Sequence, residues 1–214
     1  MAAERRKLLV LGSSVAAGHS CEPLTQGWAH LLARAIEPKG VDTVNLAVSG
    51  TTVKLWAAAL ADEELRRHVA SSDVVLMSLS LGNEGLSSMR AEAEAGALVE
   101  RYIDGYHGLA KELRRLMARP GARLVLGGPY PNNGYTSFHL QGLNKVYAAA
   151  RGWKEVDYVI DFLGAPLHDS RGHWGAGLMA DEGHPNEDGH RCMYDLVDLG
   201  ELLGPHDVDR MIGS

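Results

Sequence analysis

No apolar run in this 214-residue sequence approaches the roughly 20 residues of a membrane-spanning helix. Membrane insertion is therefore not expected. Basic stripes are also missing. Net charge is −6, and the cationic clusters are short: Arg5-Arg6-Lys7, Arg66-Arg67 and Arg114-Arg115. A nucleic-acid binder needs a basic face, so no nucleic-acid partner is expected. Cysteine is scarce, with only Cys21 and Cys192. Two thiols do not make a disulfide scaffold. They read as plain buried thiols, with a bridge left open because both lie near motifs placed at one end of the sheet. No Asn-x-Ser/Thr sequon occurs, and the apolar Leu8–Gly12 run is too short for a signal peptide. A cytoplasmic location is the expectation. Aromatic residues make up only 6%.

What remains is an ordinary globular composition, 45% apolar and 22% charged. The length suits one domain over residues 1–214. Short Val-, Leu- and Ile-rich runs recur at Lys7–Leu11, Thr43–Val48, Asp73–Ser80, Arg123–Leu126 and Val156–Phe162. Continuous apolar runs of that length read as strands buried on both faces. Helical patterns lie between them. Gly27–Ile36 is stopped by Pro38 and Gly40. Glu92–Met117 keeps a three-to-four spacing through Leu98, Tyr102, Ile103, Tyr106, Leu109, Leu113 and Leu116. Phe138–Trp153 is another, and Asp188 to about Leu203 ends at Gly204-Pro205. Alternation of this kind predicts an α/β fold: a five-stranded parallel sheet sandwiched between helices. Ligands in such folds bind beyond the carboxyl ends of the strands. The irregular Gly164–Asp188 stretch is long enough to expect a functional loop.

Chemistry-bearing segments sit where that rule directs. Gly12-Ser13-Ser14 follows the first run and Ser49-Gly50-Thr51-Thr52 the second. Gly82-Asn83-Glu84-Gly85 follows the third, and Asp181-Glu182-Gly183-His184-Pro185-Asn186 lies in the late loop. A serine hydroxyl needs a base to become a nucleophile. Histidine serves near neutral pH, and a carboxylate fixes its tautomer. Ser14, His184 and Asp181 supply those three groups. The tetrahedral oxyanion needs donors. The backbone N–H of Ser14, the backbone N–H of Gly50 and the side-chain amide of Asn83 are candidates, with glycine at position 50 avoiding a Cβ at close approach.

These blocks, in order, resemble the SGNH hydrolases, also called the GDSL esterase/lipase superfamily. The resemblance rests on Gly12-Ser13-Ser14, Gly50, Gly82-Asn83-Glu84 and Asp181-x-x-His184, with Pro185-Asn186 and Gly189-His190 continuing the last. It spans residues 7 to about 195. It implies a flavodoxin-like α/β/α sandwich, a Ser14–Asp181–His184 triad and an oxyanion hole from Ser14, Gly50 and Asn83. It also implies a small-molecule ester substrate and neither metal nor organic cofactor. Two positions depart from the family pattern, since Ser13 and Glu84 each replace an aspartate.

Other readings are weaker. His190 lies inside the last predicted helix and reads as structural. Tyr130, His173 and Trp174 are pocket candidates, alongside Tyr135 and His168. His168, Asp169, His173, Asp181 and His184 are zinc-ligand types, but the His-Glu-x-x-His pattern is absent. Gly175–Ala180 follows no strand and is no dinucleotide loop. The α/β-hydrolase elbow Gly-x-Ser-x-Gly is missing. Low aromatic content and the lack of an apolar lid favour a short acyl group. The alternatives are an acyltransferase, thioesterase or lysophospholipase using the same triad, or a non-catalytic binding module of the same fold.

Overall fold

The computed structural model describes residues 5–204. Five strands form one sheet: β1 (Arg6–Gly12), β2 (Val41–Asn45), β3 (Val74–Ser78), β4 (Arg123–Gly127) and β5 (Tyr158–Ile160). All pairings are parallel, in the order β2-β1-β3-β4-β5. The chain leaves β1 to one side, returns and continues on the other. The switch point therefore lies at β1 and β3, where such sheets bind ligands.

Helices cover both faces. On one side lie α1 (Ser14–Ala17), α2 (Trp28–Ile36), α7 (Glu187–Asp195) and α8 (Leu199–Leu203). They pack on Leu8, Val10, Leu76, Val125 and Ile160. On the other lie α3 (Val53–Ala59), α4 (Glu63–Ser71), α5 (Glu92–Leu116) and α6 (Ser137–Arg151), over Leu9, Leu11, Met77, Leu124 and Leu126. Successive strand residues point to opposite layers. Both layers are apolar, which is why β1 and β3 read as unbroken hydrophobic runs. Leu8, Leu9, Val10 and Leu11 are each at most 1% exposed. Each such side chain contributes about 1.5–3 kcal/mol over an exposed one.

Several elements differ from the sequence expectation. β2 starts earlier and stops at Asn45, whose side chain accepts from Ala47 N–H and donates to the Ala16 carbonyl. Leu46 and Val48 N–H still donate to the Val10 and Gly12 carbonyls of β1, and the chain turns away at Ser49-Gly50. The helix expected from Asp188 to Leu203 is two helices. Asp198 caps the second by accepting from Gly200 and Glu201 N–H, as a helix N-cap does. Pro205, expected to help stop it, lies outside the described residues. Two short helices, α3 and α4, were not anticipated. They are capped by Thr52 and Asp62. Between β5 and α7 the chain has only isolated bridges, His168 to Trp174 and Met179 to Pro185. Among the described residues no helix is long and apolar enough to cross a membrane. Cys21 and Cys192 are both free thiols, so the bridge left open by the sequence is not made.

Candidate active site

Ser14 is the first residue of α1, two residues past the end of β1, with Ser13 between them as the N-cap. The turn is tight. A Cβ on Gly12 would stand 2.4 Å from the Ser78 carbonyl oxygen of the neighbouring strand. Glycine is therefore required there, and it brings Ser14 up at the carboxyl edge of the sheet. The Ser14 N–H, at the first helical position, has no carbonyl in its own helix to bond.

His184 Nε2 lies 3.0 Å from Ser14 Oγ, and His184 Nδ1 lies 2.9 and 3.0 Å from the two oxygens of Asp181. Asp181 Oδ1 also accepts from the backbone N–H of Gly183 and of His184. Partial burial pushes the Asp181 carboxyl upward, but the Gly183 N–H and the His184 ring and backbone hold its pKa below the ordinary value. It is thus an anion facing the imidazole. Serine, histidine and carboxylate are brought together in one hydrogen-bonded line.

The remaining donors converge from β2 and β3. Gly50 has φ +77°. A Cβ there would meet nothing within 4 Å. The left-handed backbone favours glycine at this turn, and no protein atom crowds the position. The Asn83 side chain donates one N–H to the Thr51 carbonyl at 2.9 Å. Its second N–H stays available. Thr51 Oγ1 donates to the Gly12 carbonyl, and Trp56 Nε1 donates to Gly12 O and Thr51 Oγ1. The three turns are thereby tied to one another. Trp56 does not stand out in the sequence, and Thr51 does so only as part of the Ser49–Thr52 segment, because their role depends on side chains meeting across loops.

The two departures from the family pattern have structural partners. Ser13 Oγ is hydrogen-bonded to the Tyr130 hydroxyl at 3.2 Å. Glu84 Oε1 accepts from Val53 N–H at 2.7 Å, an anion at the start of α3 where the helix dipole favours it.

The pocket candidates are placed differently from one another. Tyr130 and Trp174 are 5% and 4% exposed and stack at 6.1 Å within the core beneath α1 and α2. They are packing residues that offer almost no open wall. His173 Nε2 lies 2.8 Å from the Tyr135 carbonyl and holds that loop. The zinc-ligand types named from sequence do not form one group. His168 bonds the Asp169 carbonyl, and Asp169 is occupied by Arg171 and the His173 backbone.

A model of the GDSL-like lipase/acylhydrolase family matches residues 10–192. The chain belongs to that family. It is a carboxylic ester hydrolase of the GDSL type. No curated protein sequence matched it significantly. Among solved structures, that of TesA superposes with a TM-score of 0.63 at 25% identity, over 90% of this chain and 96% of the other. A lipase from a goat rumen metagenome gives 0.71 at 18% identity, over 89% and 95%. An acetylxylan esterase from Geobacillus stearothermophilus gives 0.63 at 18%, over 94% and 95%. The last two are similar in fold.

In this GDSL-type hydrolase the motif residue His190 is buried and bonded at both nitrogens. Trp28 N–H donates to Nδ1 at 3.3 Å, and Nε2–H donates to the His19 carbonyl at 3.0 Å. Burial pushes its pKa down to about 4. The His19 carbonyl opposes this, and the nearby His184, His19 and His30 add to it. The unfolded chain protonates this residue near pH 6.5 and the folded one does not. Stability from neutral His190 is therefore intact above pH 6.5 and is lost as pH falls towards 4, by about 3 kcal/mol in all. Urea midpoints at pH 7 and pH 4.5 should differ less for His190→Asn than for the wild type. Equal pH slopes would remove His190 from the acid sensitivity.

Proposed function

We propose that Ser14 is the nucleophile, His184 its base and Asp181 the group that orients and balances His184. We propose further that the preferred esters carry short acyl groups of acetyl size. The observation that carries the reading is the line from Asp181 through His184 Nδ1 and Nε2 to Ser14 Oγ, with both contacts at hydrogen-bond length.

Ser14 Oγ attacks the ester carbonyl carbon as its proton passes to His184 Nε2. The carbonyl electron pair moves onto oxygen. That oxyanion is met by the N–H of Ser14, the N–H of Gly50 and the free N–H of Asn83. Collapse of the intermediate breaks the bond to the alcohol, which leaves with the proton from His184. Water then gives a proton to His184 and attacks the acyl-serine. The acid departs, and the proton returns to Ser14. Asp181 stays ionised and balances the imidazolium in both halves.

A short acyl group is supported by the low aromatic content and by a fold shared with an acetylxylan esterase. A series of p-nitrophenyl esters from acetate to decanoate tests it. kcat/KM should be highest for acetyl or butyryl and fall at longer chains. A maximum at decanoyl would overturn the acyl-size reading and leave the triad standing.

Asn83→Ala should lower kcat by about 10²–10³-fold, the usual cost of one oxyanion donor. Steady-state rates on p-nitrophenyl acetate read this directly, and a KM that changes much more than kcat would place Asn83 in ground-state binding instead.

A further inference from the structure

A second histidine lies against the triad, outside the mechanism above. His19 packs against His184 in a tilted ring contact, with centroids 4.3 Å apart and planes at 43°. Its backbone is held at both ends. His19 N–H donates to the Ser14 carbonyl at 3.0 Å, and the His19 carbonyl accepts from His190 Nε2–H. Gly18 before it and Ser20 after it both adopt left-handed backbone, at φ +85° and +71°. The residue is exposed, and its backbone is held by the same elements that present Ser14.

One ligand-capable atom each from His19, Asp181 and His184 lies within 4.8 Å of the other two. Ligands of a tetrahedral zinc ion stand about 2.0–2.2 Å from the metal. Small side-chain rotations on this open surface close the remaining gap. Two imidazoles and a carboxylate, with water as a fourth ligand, suit Zn²⁺ or a similar borderline cation and do not suit Mg²⁺ or Ca²⁺.

We propose that His19, Asp181 and His184 form a reversible inhibitory site for Zn²⁺. The binding stands on geometry alone; that it inhibits rests on the triad reading above. A base at His184 needs a lone pair on Nε2 and a proton on Nδ1. Metal on Nε2 takes the lone pair directly. Metal on Nδ1 displaces that proton and leaves the remaining one on Nε2, facing Ser14. Either mode disables proton transfer, and coordination of Asp181 removes its hydrogen bond to the ring as well. No covalent bond to carbon is involved, so a chelator reverses the block.

Calorimetric titration of the whole protein with ZnCl₂, beside rates on p-nitrophenyl acetate, tests this. Wild type should bind one equivalent of Zn²⁺ and lose activity with the same midpoint. EDTA should restore the rate, and millimolar Mg²⁺ or Ca²⁺ should have no effect. His19→Ala, and His19→Phe which keeps a ring against His184, should each weaken Zn²⁺ binding at least about tenfold. Ser14→Ala should bind Zn²⁺ as wild type does, whatever its turnover. Zinc affinity unchanged in both His19 variants, or no one-to-one binding by wild type, would overturn the site. Tight one-to-one binding without inhibition would overturn the inhibitory role. A Ser14→Ala enzyme that still turns over would sink the triad reading, while its calorimetry would continue to judge the metal site.

Discussion

Ser14→Ala should lower kcat by about 10⁴- to 10⁶-fold with no loss of folded protein. Removal of a nucleophile has costs of that order in serine hydrolases, and the residual rate comes from oxyanion donors and binding. The fold should tolerate the change. The Ser14 hydroxyl bonds His184 Nε2, and Ser14 occupies a helical position, where alanine is at least as favourable as serine. The backbone N–H assigned to the oxyanion is kept. The melting temperature should stay close to wild type while turnover vanishes, and a serine-directed phosphonate should label wild type once and the variant not at all. A variant rate within tenfold of wild type would end the acyl-enzyme mechanism.

Asp181→Asn should cost about 10⁴-fold in kcat. Asparagine is nearly isosteric, and its carbonyl oxygen still accepts from Gly183 and His184 N–H. The turn around residues 181–184 therefore survives. The difference lies at the imidazole. An amide NH₂ facing Nδ1 favours a lone pair there and moves the proton to Nε2, where Ser14 needs an acceptor. Half of the Asp181 side chain is exposed, at 53%. Water can therefore replace part of its electrostatic effect, and tautomer control is the larger share of the expected loss. Rates from pH 6 to 10 separate the two effects. If tautomer control dominates, the variant stays slow across the range. A variant that recovers most of its rate at high pH would assign Asp181 a charge role alone.

The sheet and the main site residues were legible because each leaves a local mark. β1 and β3 are sealed between two apolar layers, and so read as continuous Leu/Val runs. α5 keeps one apolar stripe for seven turns. Ser14, Asn83 and the Asp181–His184 pair sit in short Gly-rich or polar segments directly after strands or in the long late loop. What escaped notice depends on distant partners. His19 looks like any polar loop residue until the chain brings His184 over it. Thr51 and Trp56 matter through the Gly12 carbonyl, some 40 residues away. Tyr130 and Trp174 are pocket candidates by their loop positions, yet both side chains are buried in the core. The break between α7 and α8 hides in Val197-Asp198, where an aspartate that suits an exposed helix face serves as the cap of a new helix. The start of α6 is masked for a related reason. His139 stands at the place where a capping box ordinarily has Glu or Gln, and its ring bonds the Thr136 N–H.

The turns after β1, β2 and β3 are bonded to one another through Thr51, Trp56 and Asn83, all within the first 84 residues. The proposed base arrives from residue 184, on a loop pinned to the turn after β4 by Asn133 N–H donating to the Glu182 carbonyl. During synthesis on the ribosome, then, the proposed nucleophile and oxyanion donors have all emerged about a hundred residues before the proposed base. Until residue 184 follows, Ser14 lacks its proposed base. Ester cleavage by the proposed mechanism requires that the loop carrying His184 has docked on the turns built from the first 84 residues, so activity would report that docking.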